Sequence, residues 1–184
     1  ISISILHPSL RGRDRSKEFK SHEYLTSDNP ESVVRATNEL AEQSKGDILM
    51  FVADDLKLPK DWDKQLLKIV DITKPQIIKP DDKLQKMTSQ VITFPIMTRE
   101  AYNQLGYFFY PEYKSMWVDV DLWWIAYTRK WLVDAPGLEF EHLHHSVGKS
   151  KKDKVYEKSE SYWNQGAEVF NRRAIQFGWS KRAS

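Results

Sequence analysis

The stretch Asp47-Ile48-Leu49-Met50-Phe51-Val52-Ala53-Asp54-Asp55 decides the fold. Its apolar run, residues 48–52, is continuous rather than alternating, which predicts a central strand covered on both faces. Before it, Ser27-Asp28-Asn29-Pro30 reads as a helix start, with Asn29 as cap and Pro30 in the first turn. Val33, Ala36, Thr37, Leu40 and Ala41 then recur at helical spacing, and Gly46 is a stop signal. Further upstream, residues 1–7 are β-rich and end at Pro8, and residues 23–26 form a second short strand. Strand, loop, strand, helix, strand is the order of a parallel α/β sheet.

Downstream, the pattern predicts a helix over 59–70 and strands over 75–80 and 90–96, separated by a charged turn at Asp81-Asp82. Thr98 caps a short helix that Gly106 ends. Residues 119–130 read as a helix, 131–133 and 138–142 as strands, and 152–177 as a polar helical stretch. The basic segment 149–154 reads as a mobile loop.

The 184 residues predict one domain, 1–184, long enough to bury a substantial core. With 40% hydrophobic and 29% charged residues, the composition is that of a soluble globular chain. A net charge of +2 supplies no global field for nucleic acid. The absence of cysteine excludes disulfides and cysteine metal sites, and fits a reducing compartment such as the cytoplasm. No apolar run reaches membrane-spanning length. Trp117, Trp123, Trp124 and Trp131 cluster either as core or as a surface for a flat ligand such as a sugar ring or a base.

Four constellations carry candidate chemistry. Asp54-Asp55 leaves the central strand at its carboxyl end, the edge where open α/β sheets collect ligands. Paired carboxylates there can hold a hard divalent cation, although an ordinary solvated turn is an equal reading. In Glu139-Phe140-Glu141-His142-Leu143-His144-His145, an extended backbone would point His142 and His144 to one face. One of them could complete a metal site with Asp55; a surface histidine patch is the plainer alternative. Trp117-Val118-Asp119-Val120-Asp121 places two carboxylates at a helix start, where the dipole alone favours them. A carboxylate so held is also placed rigidly, as a general base must be. Arg11, Arg13 and Arg15 follow the first strand and suit phosphate oxygens, with Arg15 read as a solvated loop residue.

Taken in order, these pieces resemble the family-2-like inverting glycosyltransferases with the GT-A fold, over roughly residues 1–150. Pro8-Ser9-Leu10-Arg11-Gly12-Arg13 is similar to that family's nucleotide-binding loop. Asp28 matches the aspartate that contacts the base, and Asn38 the asparagine of the helix before Gly46-Asp47. Ala53-Asp54-Asp55 resembles the Asp-X-Asp motif with its first carboxylate replaced. The resemblance implies an α/β fold with a mostly parallel central sheet flanked by helices. It divides the chain into a nucleotide-sugar-binding half (1–95), an acceptor and catalytic half (96–150) and a helical tail (151–184). It assigns Asp119 as catalytic base and places Pro8, Ser9, Arg11, Arg13, Asp28, Asn38 and Asp54 around the donor. Asp55 with His142 or His144 becomes the ligand set for Mn2+ or Mg2+, and Trp117 and Asp121 face the acceptor. The implied donor is a nucleotide-sugar, a UDP-sugar foremost, and the acceptor a glycan, a small molecule or a modified nucleic acid. Two other readings use the same sheet: a nucleotidyltransferase, for which only Gly12 is available as a phosphate-loop glycine, and a non-catalytic nucleotide-sugar or glycan binding module.

Overall fold

The computed structural model describes residues 1–9, 13–27, 32–148 and 154–179. Arg11, Asp28, Asn29, Pro30 and nearly all of the 149–154 loop lie outside the described residues. The strands are β1 (Ile3–His7), β2 (Glu23–Thr26), β3 (Ile48–Phe51), β4 (Leu56–Lys57), β5 (Ile77–Asp81), β6 (Ile96–Thr98), β7 (Leu132–Glu139) and β8 (Glu141–His142). The helices are α1 (Val33–Gln43), α2 (Trp62–Leu66), α3 (Arg99–Leu105), α4 (Val118–Thr128), α5 (Lys154–Ser161) and α6 (Trp163–Phe177).

Six strands form one sheet in the order β2-β1-β3-β6-β5-β7, while β4 and β8 make a separate antiparallel pair. β1, β2 and β3 are mutually parallel, β5 is parallel to β7, and only β6 runs against its neighbours. The carboxyl ends of β1, β3, β5 and β7 therefore share one edge. As the unbroken apolar run requires, every residue of β3 is buried, between β1 and β6. Met50, Leu49, Ile5, Leu6, Ile77 and Ile96 form the centre of the core. Each such aliphatic side chain contributes about 1.5–3 kcal/mol on burial.

Several boundaries move from the sequence expectation. The cap of α1 is Ser32, whose hydroxyl accepts the Arg35 N–H. Thr98 caps α3 by accepting the Ala101 N–H, and Gly106 ends it with φ 77°, both as expected. The strand expected over 90–96 is instead β6, because Pro95 has no N–H to enter a ladder. Ile92 and Phe94 bury their side chains from irregular backbone. The helix expected over 59–70 shortens to α2, whose preceding residue Asp61 sits in the left-handed region at φ 54°. The two strands expected over 131–142 are the long β7 and the short β8, and the last helical stretch splits into α5 and α6. Among the described residues, no helix is long and apolar enough to cross a membrane.

Gly46 is needed for a reason other than stopping α1. The helix closes at Ser44, and Gly46 passes so near β1 that an added Cβ would lie 2.5 Å from Ser4 Oγ and 2.6 Å from Ser4 N. Its N–H donates to Ser4 Oγ at 2.7 Å. Gly46→Ala is expected to cost about 1–3 kcal/mol through overpacking against fixed backbone, read as a lower urea midpoint. An unchanged midpoint would show that β1 can move away without loss.

Candidate functional site

The site is built on the sheet edge where β1 and β3 end. β3 delivers Ala53, Asp54 and Asp55 there, and β1 delivers His7, Pro8 and Ser9. Asp54 is only 8% exposed, and its Oδ1 lies 3.1 Å from His7 Nε2. Ser9 Oγ donates toward the same oxygen at 3.5 Å. The Arg13 guanidinium donates to the Asp54 carbonyl at 3.0 Å, and the Arg13 N–H to Ser9 Oγ at 2.6 Å. A cavity of about 350 Å³ opens beside Asp54, lined by Arg13, Arg15, Glu18, Lys57, Trp62 and Leu143. That volume falls within the range of ligand pockets.

Arg15 is not a solvated loop residue. It is 4% exposed, ion-paired to Glu18 at 2.6 Å, and donates to the Ala53 carbonyl at 2.7 Å. The guanidinium locks the loop after β1 onto the end of β3. The alternation of charge in Arg11-Gly12-Arg13-Asp14-Arg15 carries no signal for this burial.

Asp55 faces the histidine segment. His142 Nε2 lies 3.3 Å from Asp55 Oδ2, and the Tyr156 hydroxyl from α5 donates to the same oxygen at 2.6 Å. Burial pushes the Asp55 carboxyl up, but the His142 and Tyr156 hydrogen bonds outweigh it and hold the group at about 2. Backbone pairing sets the approach: β4 pairs Leu56 with His142, and the Leu143 N–H donates to the Asp55 carbonyl at 2.8 Å. His144 shares the face of His142, with ring centroids 4.9 Å apart. Its Nδ1 accepts the Ser146 N–H, so it also shapes the following turn. Tyr156 touches both His144 and His145, and local sequence pattern offered no sign of it.

A divalent cation fits the Asp55 and His142 donors on one observation. Two ligands about 2.1 Å from an octahedral ion are separated by about 3 Å, close to the spacing between Asp55 Oδ2 and His142 Nε2. Among the described residues, no three His, Asp or Glu side chains gather to enclose an ion alone. A cation here would share its coordination with water and substrate phosphate, the usual habit of Mg2+.

Asp119 stands in the first turn of α4, within electrostatic reach of Asp82 just after β5. Its carbonyl accepts the Ile92 N–H at 3.3 Å, and its carboxylate accepts the Val120 N–H at 2.9 Å. Burial pushes this carboxyl above its ordinary range, and the Asp82 charge adds to the rise. Asp82, at the end of β5, accepts from the Leu84 and Gln85 N–H groups and the Thr93 hydroxyl. Its carbonyl accepts the His142 N–H at 3.1 Å. Asp82 thus joins the two halves of the edge, a role that a charged turn in the sequence does not advertise.

Other expected site residues are turned toward structure. Asn38 Nδ2 donates to the Phe109 carbonyl at 2.7 Å, and its Oδ1 accepts the Phe108 and Phe109 N–H groups. It fastens the loop after α3 to α1. Asp121 is 1% exposed and ion-paired to Arg173 of α6 at 2.6 Å. The Trp117 ring lies against Trp163 and Phe170, under α6. Pro8 is buried behind the site edge.

No family model matches the chain, and no curated protein matches it. Solved structures do. Staphylococcus aureus TarS 1–349 in complex with UDP superposes with a TM-score of 0.55 at 10% identity, over 76% of this chain and 59% of that one. The chain therefore spans about 59% of the length of that relative. The same protein in complex with UDP-GlcNAc gives 0.55 at 11% identity, over 100% of this chain and 76% of that one. A mutant Drosophila β1,4-galactosyltransferase 7 in complex with manganese, UDP-Gal and xylobiose gives 0.52 at 13% identity, over 86% and 79%. At such identities the likeness is one of fold: an α/β chain with a mostly parallel six-stranded sheet, of the GT-A glycosyltransferase type.

Proposed function

We propose that the protein is a glycosyltransferase that moves a sugar from a nucleoside-diphosphate donor to an acceptor hydroxyl by a single inverting displacement. The observation that carries this reading is the meeting of Asp55 and His142 beside Asp54, on the edge where β1 and β3 end. The solved relatives hold UDP, UDP-GlcNAc or UDP-Gal, one of them with manganese, on the same fold. A UDP-sugar is the first donor to test.

In this reading Asp54 and Arg13 line the pocket for the nucleotide, and Ser9 steadies both. Asp55 and His142 would hold a divalent cation, which when bound offsets charge on the departing diphosphate. Asp119 takes the proton of the acceptor hydroxyl as the oxygen attacks the anomeric carbon from the side opposite the diphosphate. Its raised basicity suits that task. Tyr156 and the histidine rings cover Asp55 and limit water at the reacting centre.

A thermal-shift series with UDP-sugars, with and without Mn2+, tests the proposal. The expected result is stabilisation by one donor that requires the metal and is lost in Asp55→Asn. A ligand at 100 times its Kd stabilises by about 2.7 kcal/mol, a shift of several degrees. No response to any nucleotide-sugar would overturn the reading. Slow metal-dependent release of UDP from the same donor would separate a transferase from a binding module.

A further inference from the structure

We propose that His7 is a positioning residue for the donor, holding the Asp54 carboxylate through a polar relay that starts at Tyr24. The inference rests on the donor-site reading above. Its geometry stands apart from it.

His7 ends a strand whose five residues are all buried, and it is itself 0% exposed. An apolar side chain would fill such a place without polar cost, whereas a buried imidazole must satisfy both ring nitrogens. Both are engaged. Nδ1 lies 2.5 Å from the Tyr24 hydroxyl, and Nε2 lies 3.1 Å from Asp54 Oδ1. The Tyr24 oxygen also accepts the Arg15 N–H at 3.2 Å. Tyr24 is fixed in turn by stacking on Phe19, with ring centroids 5.7 Å apart and planes 12° apart.

In the proposed relay a carboxylate oxygen of Asp54 accepts from Nε2, which carries the imidazole hydrogen, and Nδ1 accepts the Tyr24 O–H. The relay then runs in one direction, from Tyr24, whose oxygen accepts the Arg15 N–H, through His7 to Asp54. Each donor in such a chain strengthens the next. It runs from β2 through β1 to the turn after β3, so neighbouring strands help to orient the carboxylate beside the cavity. The ligand suited to a fixed, acceptor-only carboxylate is one bearing adjacent hydroxyls, such as the ribose of a nucleoside diphosphate.

Two measurements test this. Nitrogen NMR of histidine-labelled protein should show His7 with a protonated Nε2 and an unprotonated Nδ1, and Tyr24→Phe should perturb that pattern. Calorimetric titration with UDP and Mn2+ should show about ten-fold weaker binding for His7→Leu, as expected for one hydrogen bond to a charged group. His7→Gln, which keeps an N–H donor toward Asp54, should restore most of the affinity. In an Asp54→Asn background His7→Leu should cause no further loss, because coupled residues share one effect. A hydrogen on Nδ1, or losses that simply add, would overturn the relay while leaving the donor site standing. If the NMR pattern holds but the wild-type protein binds no UDP, the donor reading falls, and the positioning role with it.

Discussion

Asp119→Asn is expected to lose sugar transfer by about 10²- to 10⁴-fold, the usual contribution of a general base, while UDP binding stays unchanged. The substitution keeps the shape of the side chain and its acceptor for the Val120 N–H. It removes only the ability to take a proton. The pH dependence follows from the shift. Burial and the Asp82 charge push the Asp119 carboxyl up, so its basic form appears only above the ordinary aspartate value of about 3.9. The acid limb of kcat/KM should therefore lie above that value in the wild-type protein. Linkage gives the sign for stability. A carboxyl whose pKa is raised on folding opposes folding where it is ionised, and the opposition disappears below its unfolded pKa. At neutral pH the Asn variant should thus be at least as stable as the wild-type chain. Transfer is read as UDP release with an acceptor that the wild-type protein uses. Near-wild-type turnover in a folded Asn variant would remove Asp119 from the base role.

The legible part of the chain was whatever depends on short-range pattern. An unbroken apolar run at 48–52 reads as a strand covered on both faces, and β3 lies between β1 and β6. Thr98 and Gly106 announced α3 because capping is local chemistry. The approach of His142 to Asp55 was within reach of the sequence, since few histidines exist to complete such a site and two of them share a face. Tyr156 was not within reach: it stands on a helix with no buried residue, and 101 positions separate it from Asp55. His7 was hidden for a different reason. A strand-end histidine before Pro8 carries no periodic signal, and its partners come from β2 and from the turn after β3. Asp121 misled because a local explanation sufficed: carboxylates at a helix start need no distant partner. Its partner lies 52 residues away, on α6.

That pairing gives the second large effect. Arg173→Met is expected to destabilise the protein by about 3–5 kcal/mol, because it strands a buried carboxylate. Arg173 is 4% exposed and donates from Nε to Asp121 Oδ2 at 2.6 Å and from Nη2 to Oδ1 at 3.2 Å. Burial alone would push the guanidinium down, but the Asp121 bonds hold it above its usual value. Its Cζ also sits 3.5 Å from the centre of the Tyr110 ring, so the side chain is packed as well as paired. In the variant, the Asp121 carboxylate keeps, among the described residues, the Tyr113 hydroxyl at 2.9 Å. Without the ion pair, α6 and the residues after it rest on the α4 region through rings such as Trp117 against Phe170 and Trp124 against Trp179. The exposed pair Arg35 with Glu39 is the contrast, since breaking an i,i+4 surface pair costs about 0.3–0.5 kcal/mol. Urea unfolding of both variants should show a large fall in midpoint for Arg173→Met and almost none for Arg35→Met. Adding Asp121→Leu and Tyr113→Phe to Arg173→Met should recover most of the loss, because apolar replacement of a whole buried ion pair is often neutral or better. A fall no larger than that of the surface variant would show that α6 is held by its aromatic contacts alone. Asp121 lies two residues from Asp119 on the same helical turn, so the ion pair that anchors α6 also fixes the turn that presents the proposed base.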